Sequence, residues 1–365
     1  MISVLVVFGT RPEAIKMCPV VKELKKRGSF KVKVAVSGQH RGMLRQVLEY
    51  FGVVPDYDLD IMKLGQTLFD ITASVLDGIG AVIKAVMPDV VLVHGDTTTA
   101  YAAALAAFYL GVPIGHVEAG LRTYDMSSPY PEEFKRASIA LIAKYHFAPT
   151  ALAAKNLLSE GRKNVYVTGN TVIDALRETV RENYSHPLLD GVGGKDLVLL
   201  TVHRRENLGA PMRSVFRAVR ETVRKIPDTV FIYPVHSNPE IRKIANEELS
   251  GLEAVRMTEP LATVDFHNIL AACRLVLTDS GGVQEEAAAL GKPTLVLREH
   301  TEREEGILLG TSRLVGTREE DIRAALLQLL HEAPCENIKT QNPYGDGNAA
   351  RRIAEILEKK GEYDV

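Results

Sequence analysis

Residues 2–8, Ile-Ser-Val-Leu-Val-Val-Phe, form a nearly continuous apolar run. A run of this length with little alternation predicts a strand covered on both faces. Gly9-Thr10-Arg11-Pro12-Glu13 interrupts it. A helix is expected from about Ala14 to Lys26, with Pro12 at an early helical position. The pattern then recurs. Strands are predicted at Val32–Val36, Val90–His94, Ile114–Val117, Tyr145–Ala148 and Val165–Thr168, and helices at Met43–Phe51, Leu68–Ala85, after Thr97-Thr98-Thr99, and at Ala137–Lys144. Pro187, Gly191, Gly193 and Gly194 mark Ser185–Lys195 as a loop near a domain border. A second series follows, with strands at Leu197–Val202, Val230–Val235, Ala254–Met257, Leu275–Leu277 and Thr294–Leu297. Its helices are Val283–Leu290, Asp321–Leu330 and Ala349–Lys359. Strands alternating with helices predict an α/β fold of parallel, doubly wound sheets with right-handed crossovers.

At 365 residues the chain has room for two domains, and 46% hydrophobic residues suffice for their cores. A net charge of −2 argues against nucleic acid as the main partner. Cys18, Cys273 and Cys335 are widely spaced, form no zinc pattern and point to a reducing compartment. Val4–Gly9 reads as a buried strand rather than a signal peptide, and no apolar run approaches the ~20 residues of a membrane span. A soluble cytoplasmic protein with no membrane partner is expected.

In open parallel sheets, ligands bind beyond the C-terminal ends of the strands. Arg11, Asp96 and Glu118 follow strands of the first series; His203, His236 and Ser280 follow strands of the second. Two Rossmann-like domains facing each other would gather these ends in one cleft. The most organised stretch is Thr278-Asp279-Ser280-Gly281-Gly282-Val283-Gln284-Glu285-Glu286. It reads as strand, turn, helix. Glycines allow close approach of a ligand, and a helix N-terminus suits phosphate. The turn is expected to cradle a diphosphate, with Glu286 in the first helical turn accepting from sugar hydroxyls. The alternative is an ordinary strand-to-helix connection with a cap.

Asp96, Glu118 and Glu132 are acid–base candidates, since carboxylates gathered in a closed cleft suit proton transfer at carbon. Asp96 could instead cap the helix that follows, and Glu132 and Glu133 could be a solvated first turn after Pro131. Glu118 precedes Ala-Gly, a place with little structural need for a charge. His203-Arg204-Arg205-Glu206-Asn207 can hold phosphate or help a leaving group depart, or form a surface ion-pair cluster. Arg11, Lys16 and Arg303 are placed for anions, and His236 for a site or a strand end. No G-x-G-x-x-G follows a strand and residues 191–195 do not match a Walker A loop, which disfavours bound NAD and an ATPase role. No H-E-x-x-H or similar spacing occurs. No metal or cofactor is expected; a composite site of histidines from separate strands is the less favoured alternative.

In these motifs and their order, the sequence resembles the non-hydrolysing UDP-N-acetylglucosamine 2-epimerases over essentially its full length. The resemblance rests on Phe8-Gly9-Thr10-Arg11-Pro12-Glu13, Val93-His94-Gly95-Asp96-Thr97-Thr98, Val117-Glu118-Ala119-Gly120-Leu121-Arg122-Thr123 and Pro131-Glu132-Glu133. It continues through His203–Asn207, Tyr233-Pro234-Val235-His236, Thr278–Glu286 and Asn342-Pro343-Tyr344-Gly345-Asp346-Gly347. It implies a glycosyltransferase-B-like pair of Rossmann-like domains facing a central cleft. The first would span 1–168 plus a C-terminal helix, 349–365, that crosses back to it; the second, UDP-binding, would span 169–348. It implies interconversion of UDP-GlcNAc and UDP-ManNAc without a cofactor, by elimination of UDP to a 2-acetamidoglucal and re-addition. Carried over, Asp96, Glu118 and Glu132 are the acid–base carboxylates, Arg136 lies close by, and His203 assists UDP departure. Arg11, Lys16, Ser280, Gly281, Gly282 and Arg303 hold phosphates, Glu286 the ribose, and Phe266 lies by the uracil. A homodimer is implied as well.

The chain departs from the family pattern in places. Lys135 stands where an asparagine is usual beside Arg136, and Glu304 where a proline usually precedes Glu305-Gly306. Gly42 and Gly65 replace a glutamine and an arginine that regulated members use in a second UDP-GlcNAc site, although Gln39, Arg204 and His236 remain as remnants. Weak or absent activation by UDP-GlcNAc is therefore expected. The rival readings are a 2-epimerase of a related UDP-sugar such as a 2,3-diacetamido derivative or its uronate, a glycosyltransferase of the same architecture, and a non-catalytic nucleotide-sugar sensor.

Overall fold

The computed structural model describes residues 1–38, 41–63, 65–332 and 342–361. In chain order the first elements are β1 (Ile2–Phe8), α1 (Arg11–Lys26), β2 (Phe30–Val36), α2 (Arg41–Phe51), β3 (Tyr57–Asp58), α3 (Leu68–Val86) and β4 (Val90–His94). Then come α4 (Thr98–Tyr109), β5 (Ile114–Val117), α5 (Glu132–Ile142), β6 (Tyr145–Ala148), α6 (Ala151–Ser159), β7 (Val165–Val167) and α7 (Thr171–Thr179). The second series is β8 (Asp196–Thr201), α8 (Ala210–Lys225), β9 (Thr229–Pro234), α9 (Pro239–Leu249), β10 (Val255–Thr258), α10 (Thr263–Ala272) and β11 (Leu275–Thr278). It continues with α11 (Gly281–Ala289), β12 (Thr294–Val296), α12 (Glu304–Leu308), β13 (Ser312–Leu314) and α13 (Glu319–His331), and the last helix is α14 (Ala349–Gly361).

The chain divides into two compact units, Met1–Glu178 with Tyr344–Val365, and Thr179–Pro343. Each is a parallel sheet with interleaved helices, as the alternation predicts. The first sheet runs β3-β2-β1-β4-β5-β6-β7 and the second β10-β9-β8-β11-β12-β13. Strand order reverses between β1 and β4 in one, and between β8 and β11 in the other. Such a switch point opens a crevice at the carboxyl ends of the two strands. The motif residues follow those strands: Gly9–Glu13 after β1, Gly95-Asp96 after β4, His203 after β8 and Ser280 after β11.

Val4 to Phe8 of β1 are wholly buried, which accounts for the unbroken apolar run. The helix after it starts at Arg11, earlier than expected. Thr10 and Glu13 form a capping box there, each side chain taking a backbone N–H of the other, so the polar turn itself begins the helix. Likewise α5 starts at Glu132, so the two glutamates and Arg136 belong to the helix. The two-residue β3 and three-residue β13 lie at sheet edges and escaped prediction. The first unit extends past the expected border at 168. Asp174 of α7 accepts from Ala349 N (3.1 Å) and Ala350 N (2.9 Å), supplying the N-terminal bonds of α14. The far end of α14 is held to the first unit by Arg27 and Ser29, both bonded to Glu358. The C-terminal helix thus crosses back to the first unit. Among the described residues, no helix is long and apolar enough to cross a membrane.

Candidate active site

In the first unit, polar groups gather where β1, β4 and β5 end. Glu118 follows β5 with φ 60°, in the left-handed region that a non-glycine residue enters at a cost of roughly 1–2 kcal/mol. Its side chain is 10% exposed and paired with Lys16 of α1, itself 9% exposed. Asn170 Nδ2 donates to the same carboxylate oxygen at 2.9 Å, and His94 Nε2 lies 3.5 Å from it. Lys16, expected on phosphate, is therefore held by a carboxylate. Burial makes the pair strongly dependent on each other: removing either partner strands a charge in low dielectric.

Asp96 does not cap α4; the Thr97 hydroxyl does, accepting from Ala100 N at 3.0 Å. Asp96 is half-buried and accepts from Arg136 Nη2 at 2.5 Å. The reading of Glu132 and Glu133 as a solvated turn fails for Glu133. It is fully buried, lies 3.5 Å from Arg136 Nη1 and accepts from Tyr124 N at 3.0 Å. Glu132 is half-buried in the same turn. Lys135 is buried too, donating to Thr98 Oγ1 at 2.7 Å. Burial pushes its ammonium pKa below the ordinary value, against the upward pull of Glu132, Asp96 and Glu13. Glu13, which the sequence reading passed over, ties the two turns together. It accepts from Gly9 N (3.0 Å), Thr10 N (2.8 Å) and the Thr97 hydroxyl (2.7 Å). The Thr-x-x-Glu spacing was the available signal for it. Arg11 opens α1 half-buried, its Nη1 3.9 Å from Met43 Sδ.

In the second unit the polar cluster lies where β8 and β11 end. Helix α11 begins at Gly281 with Ser280 as N-cap, and the Ser280 side chain makes no capping bond. Glu285 and Glu286 therefore lie in the second helical turn, not the first, which leaves the first turn without acidic side chains. Glu285 is fully buried and accepts from Arg303 Nε at 3.1 Å. Arg303 lies across Gly281, where a Cβ would sit 2.5 Å from Nη1. Arg303 also pairs with Glu302, which takes Arg298 at 2.8 Å and has Arg204 3.7 Å away. Burial alone would raise the Glu302 carboxyl pKa. Arg303, Arg298 and Arg204 outweigh it and hold that carboxyl far below the usual range. The three guanidiniums are matched by three carboxylates, Glu302, Glu285 and Glu206, in one ion-pair network beside the Ser280 turn, and its guanidinium N–H groups are of the kind that suits a diphosphate. Sequence reasoning singled out Arg303 as a phosphate candidate and passed over its neighbours Arg298 and Glu302.

Glu286 is 8% exposed, and its Oε2 has no hydrogen-bond partner among the described residues. A buried carboxylate oxygen with spare capacity fits the expected clamp on sugar hydroxyls. Its Oε1 lies 3.8 Å from His267 Nε2, and Phe266 sits next to that ring on α10, packed against the core. His203 and His236 stack with ring centroids 5.8 Å apart. Burial, and then the neighbouring His203, lower the His236 pKa. Arg204 donates from Nε to the Asp279 carbonyl at 2.9 Å. Gln39 lies outside the described residues. A Cβ at Gly42 or Gly65 would meet nothing within 4 Å, and Gly65 has φ +75°. Glu304 opens α12, where an acidic residue suits the helix N-terminus.

The family model described as UDP-N-acetylglucosamine 2-epimerase matches residues 22–358. The UDP-N-acetylglucosamine 2-epimerase of Bacillus subtilis (strain 168) is 53% identical over 361 residues, spanning 98% of this chain and 95% of that one. Among solved structures, the S. aureus MnaA-UDP co-structure is 45% identical with a TM-score of 0.92, covering 99% of this chain and 97% of that one. The UDP-GlcNAc 2-epimerase of Neisseria meningitidis bound to UDP-GlcNAc is 43% identical with a TM-score of 0.91, covering 98% and 100%. By its motifs, its two parallel sheets and these likenesses, the chain belongs to the UDP-N-acetylglucosamine 2-epimerase family.

Proposed function

We propose that this chain interconverts UDP-N-acetylglucosamine and UDP-N-acetylmannosamine at C2 without a cofactor. A carboxylate removes the C2 proton as the bond between C1 and the UDP oxygen breaks, leaving 2-acetamidoglucal and UDP. UDP then re-adds at C1 while a proton returns to C2 on the opposite face. The C2 proton has no adjacent carbonyl to acidify it, so charge developing on the departing diphosphate has to be stabilised by the protein. The second unit carries that task. Its α11 N-cap Ser280, Gly281, Gly282 and Arg303 hold phosphate oxygens, joined by Arg11 of the first unit; His203 assists departure, Glu286 takes the ribose and Phe266 flanks the uracil. The first unit carries the proton transfers through Asp96, Glu118 and Glu132. Lys16 and Arg136 fix the charge and position of two of these, Glu118 and Asp96.

The observation that carries the reading is Glu118. A carboxylate in a left-handed backbone conformation, nearly buried and held in place by Lys16 and Asn170, suits proton transfer. Relatives whose structures hold UDP or UDP-GlcNAc support the nucleotide sugar. A proton NMR time course with UDP-GlcNAc alone tests the function. Appearance of UDP-ManNAc without any acceptor supports it and excludes a glycosyltransferase. Turnover of a 2,3-diacetamido UDP-sugar but not UDP-GlcNAc would reassign the substrate. We place the enzyme in the cytoplasm as a homodimer, which sedimentation tests for assembly. With Gly42 and Gly65 in place, UDP-ManNAc conversion should proceed without added UDP-GlcNAc, and a strict requirement for it would refute this.

A further inference from the structure

Asp279 is fully buried, directly after β11 and beside the end of β8. Its carboxylate does not face solvent. Oδ2 accepts from His203 N (2.9 Å), Arg204 N (2.8 Å) and Asn207 Nδ2 (3.0 Å). Oδ1 lies 3.2 Å from both His203 N and His203 Nδ1. One buried carboxylate therefore gathers the whole His203–Asn207 turn and also meets the imidazole that leads it. The His203 side chain is 40% exposed, so the ring has an open side. Its face is covered by His236, whose Nδ1 accepts from Asn238 N at 3.2 Å and is thereby kept unprotonated.

We propose that Asp279 is a positioning residue for His203. It holds the proton on Nδ1 and so presents Nε2 outward, toward the leaving diphosphate. An acceptor-only carboxylate at Nδ1 selects the tautomer with N–H there, and a second proton can then sit only on Nε2. In that state Nε2–H donates to a phosphate oxygen while Asp279 balances the ring charge. The inference rests on assigning His203 to UDP departure.

Three measurements test it. In histidine-labelled wild-type enzyme at alkaline pH, the ¹⁵N shifts of His203 should show a protonated Nδ1 and a bare Nε2. The reverse tautomer overturns the proposal, whether or not any variant folds. Asp279→Asn keeps the shape and can still accept from the backbone, but offers an amide to Nδ1. It should lower kcat by about 10²-fold with KM little changed, the size of a general-acid contribution. The double variant Asp279→Asn, His203→Asn should be no slower than His203→Asn alone, because one residue acts through the other. Additive losses, or an unchanged kcat in Asp279→Asn, overturn the proposal. If His203→Asn alone leaves kcat unchanged, the assignment of His203 itself is what fails.

Discussion

Gly281 and Gly282 are neighbours in one turn, yet the structure gives them different reasons to lack a side chain. A Cβ on Gly281 would lie 2.5 Å from Arg303 Nη1 and 2.6 Å from its Cζ, and ordinary contact begins at 3.4 Å. Gly281→Ala must therefore push the guanidinium back by about 1 Å. Its Nε bond to Glu285, now 3.1 Å, would then exceed hydrogen-bonding distance. Loss of a buried bond between charged groups costs about 1.5–3 kcal/mol. A Cβ on Gly282 meets nothing within 4 Å. Gly282→Ala should leave the fold intact and stabilise the helix by up to about 1 kcal/mol, since alanine loses less backbone entropy. If diphosphate approaches the backbone there, the added methyl occupies its place and weakens UDP binding at least about tenfold, or about 1.4 kcal/mol. Urea unfolding and UDP calorimetry on both variants separate the effects. Gly281→Ala should lose stability and affinity together; Gly282→Ala should lose affinity alone. UDP binding to Gly282→Ala at parental strength would refute the diphosphate cradle. Parental stability in Gly281→Ala would refute the packing argument.

Glu118→Gln should lower turnover by roughly 100-fold or more while UDP binding, measured by calorimetry, stays within a few-fold of the parent. Acid should destabilise the first unit. Burial, before any neighbouring charge, lowers the pKa of His116 to about 3 and that of His146 to about 4, so the unfolded chain binds those protons first. Stability is then full above the unfolded value near 6.5 and falls as pH drops below it. Each histidine should cost on the order of 2 kcal/mol by pH 5, read as a lower urea midpoint. An unchanged midpoint between pH 7.5 and 5 would contradict their burial as neutral rings. Asp174→Ala should loosen α14 by about 1 kcal/mol, seen as faster amide exchange at Ala349 and Ala350.

The sequence made the central strands legible because burial on both faces leaves an unbroken apolar signature, as in β1. Edge strands β3 and β13 have no such run, since a strand of two or three residues at an edge needs little apolar surface. Helix starts were read late where the first turn carries no apolar periodicity: at Arg11 and Glu132 because it is polar, and at Gly281 because it opens on two glycines. Candidate site residues that follow strands could be picked out from the topology rule alone. Their partners could not. Lys16 with Glu118, Arg136 with Asp96, and Asp279 with His203 join residues far apart in the chain, and only the folded sheets bring them together. Glu302 is a mixed case: Arg298 and Arg303 are its near neighbours in the chain, and only Arg204 is brought to it by the fold.

The central claim is that the C2 proton leaves and returns during turnover. UDP-GlcNAc incubated with the enzyme in heavy water, followed by proton NMR, tests it directly. The C2 proton signal should fade from both epimers as UDP-ManNAc forms, with deuterium in its place. Formation of UDP-ManNAc with its C2 proton retained, or no exchange and no epimer at all, would contradict the account.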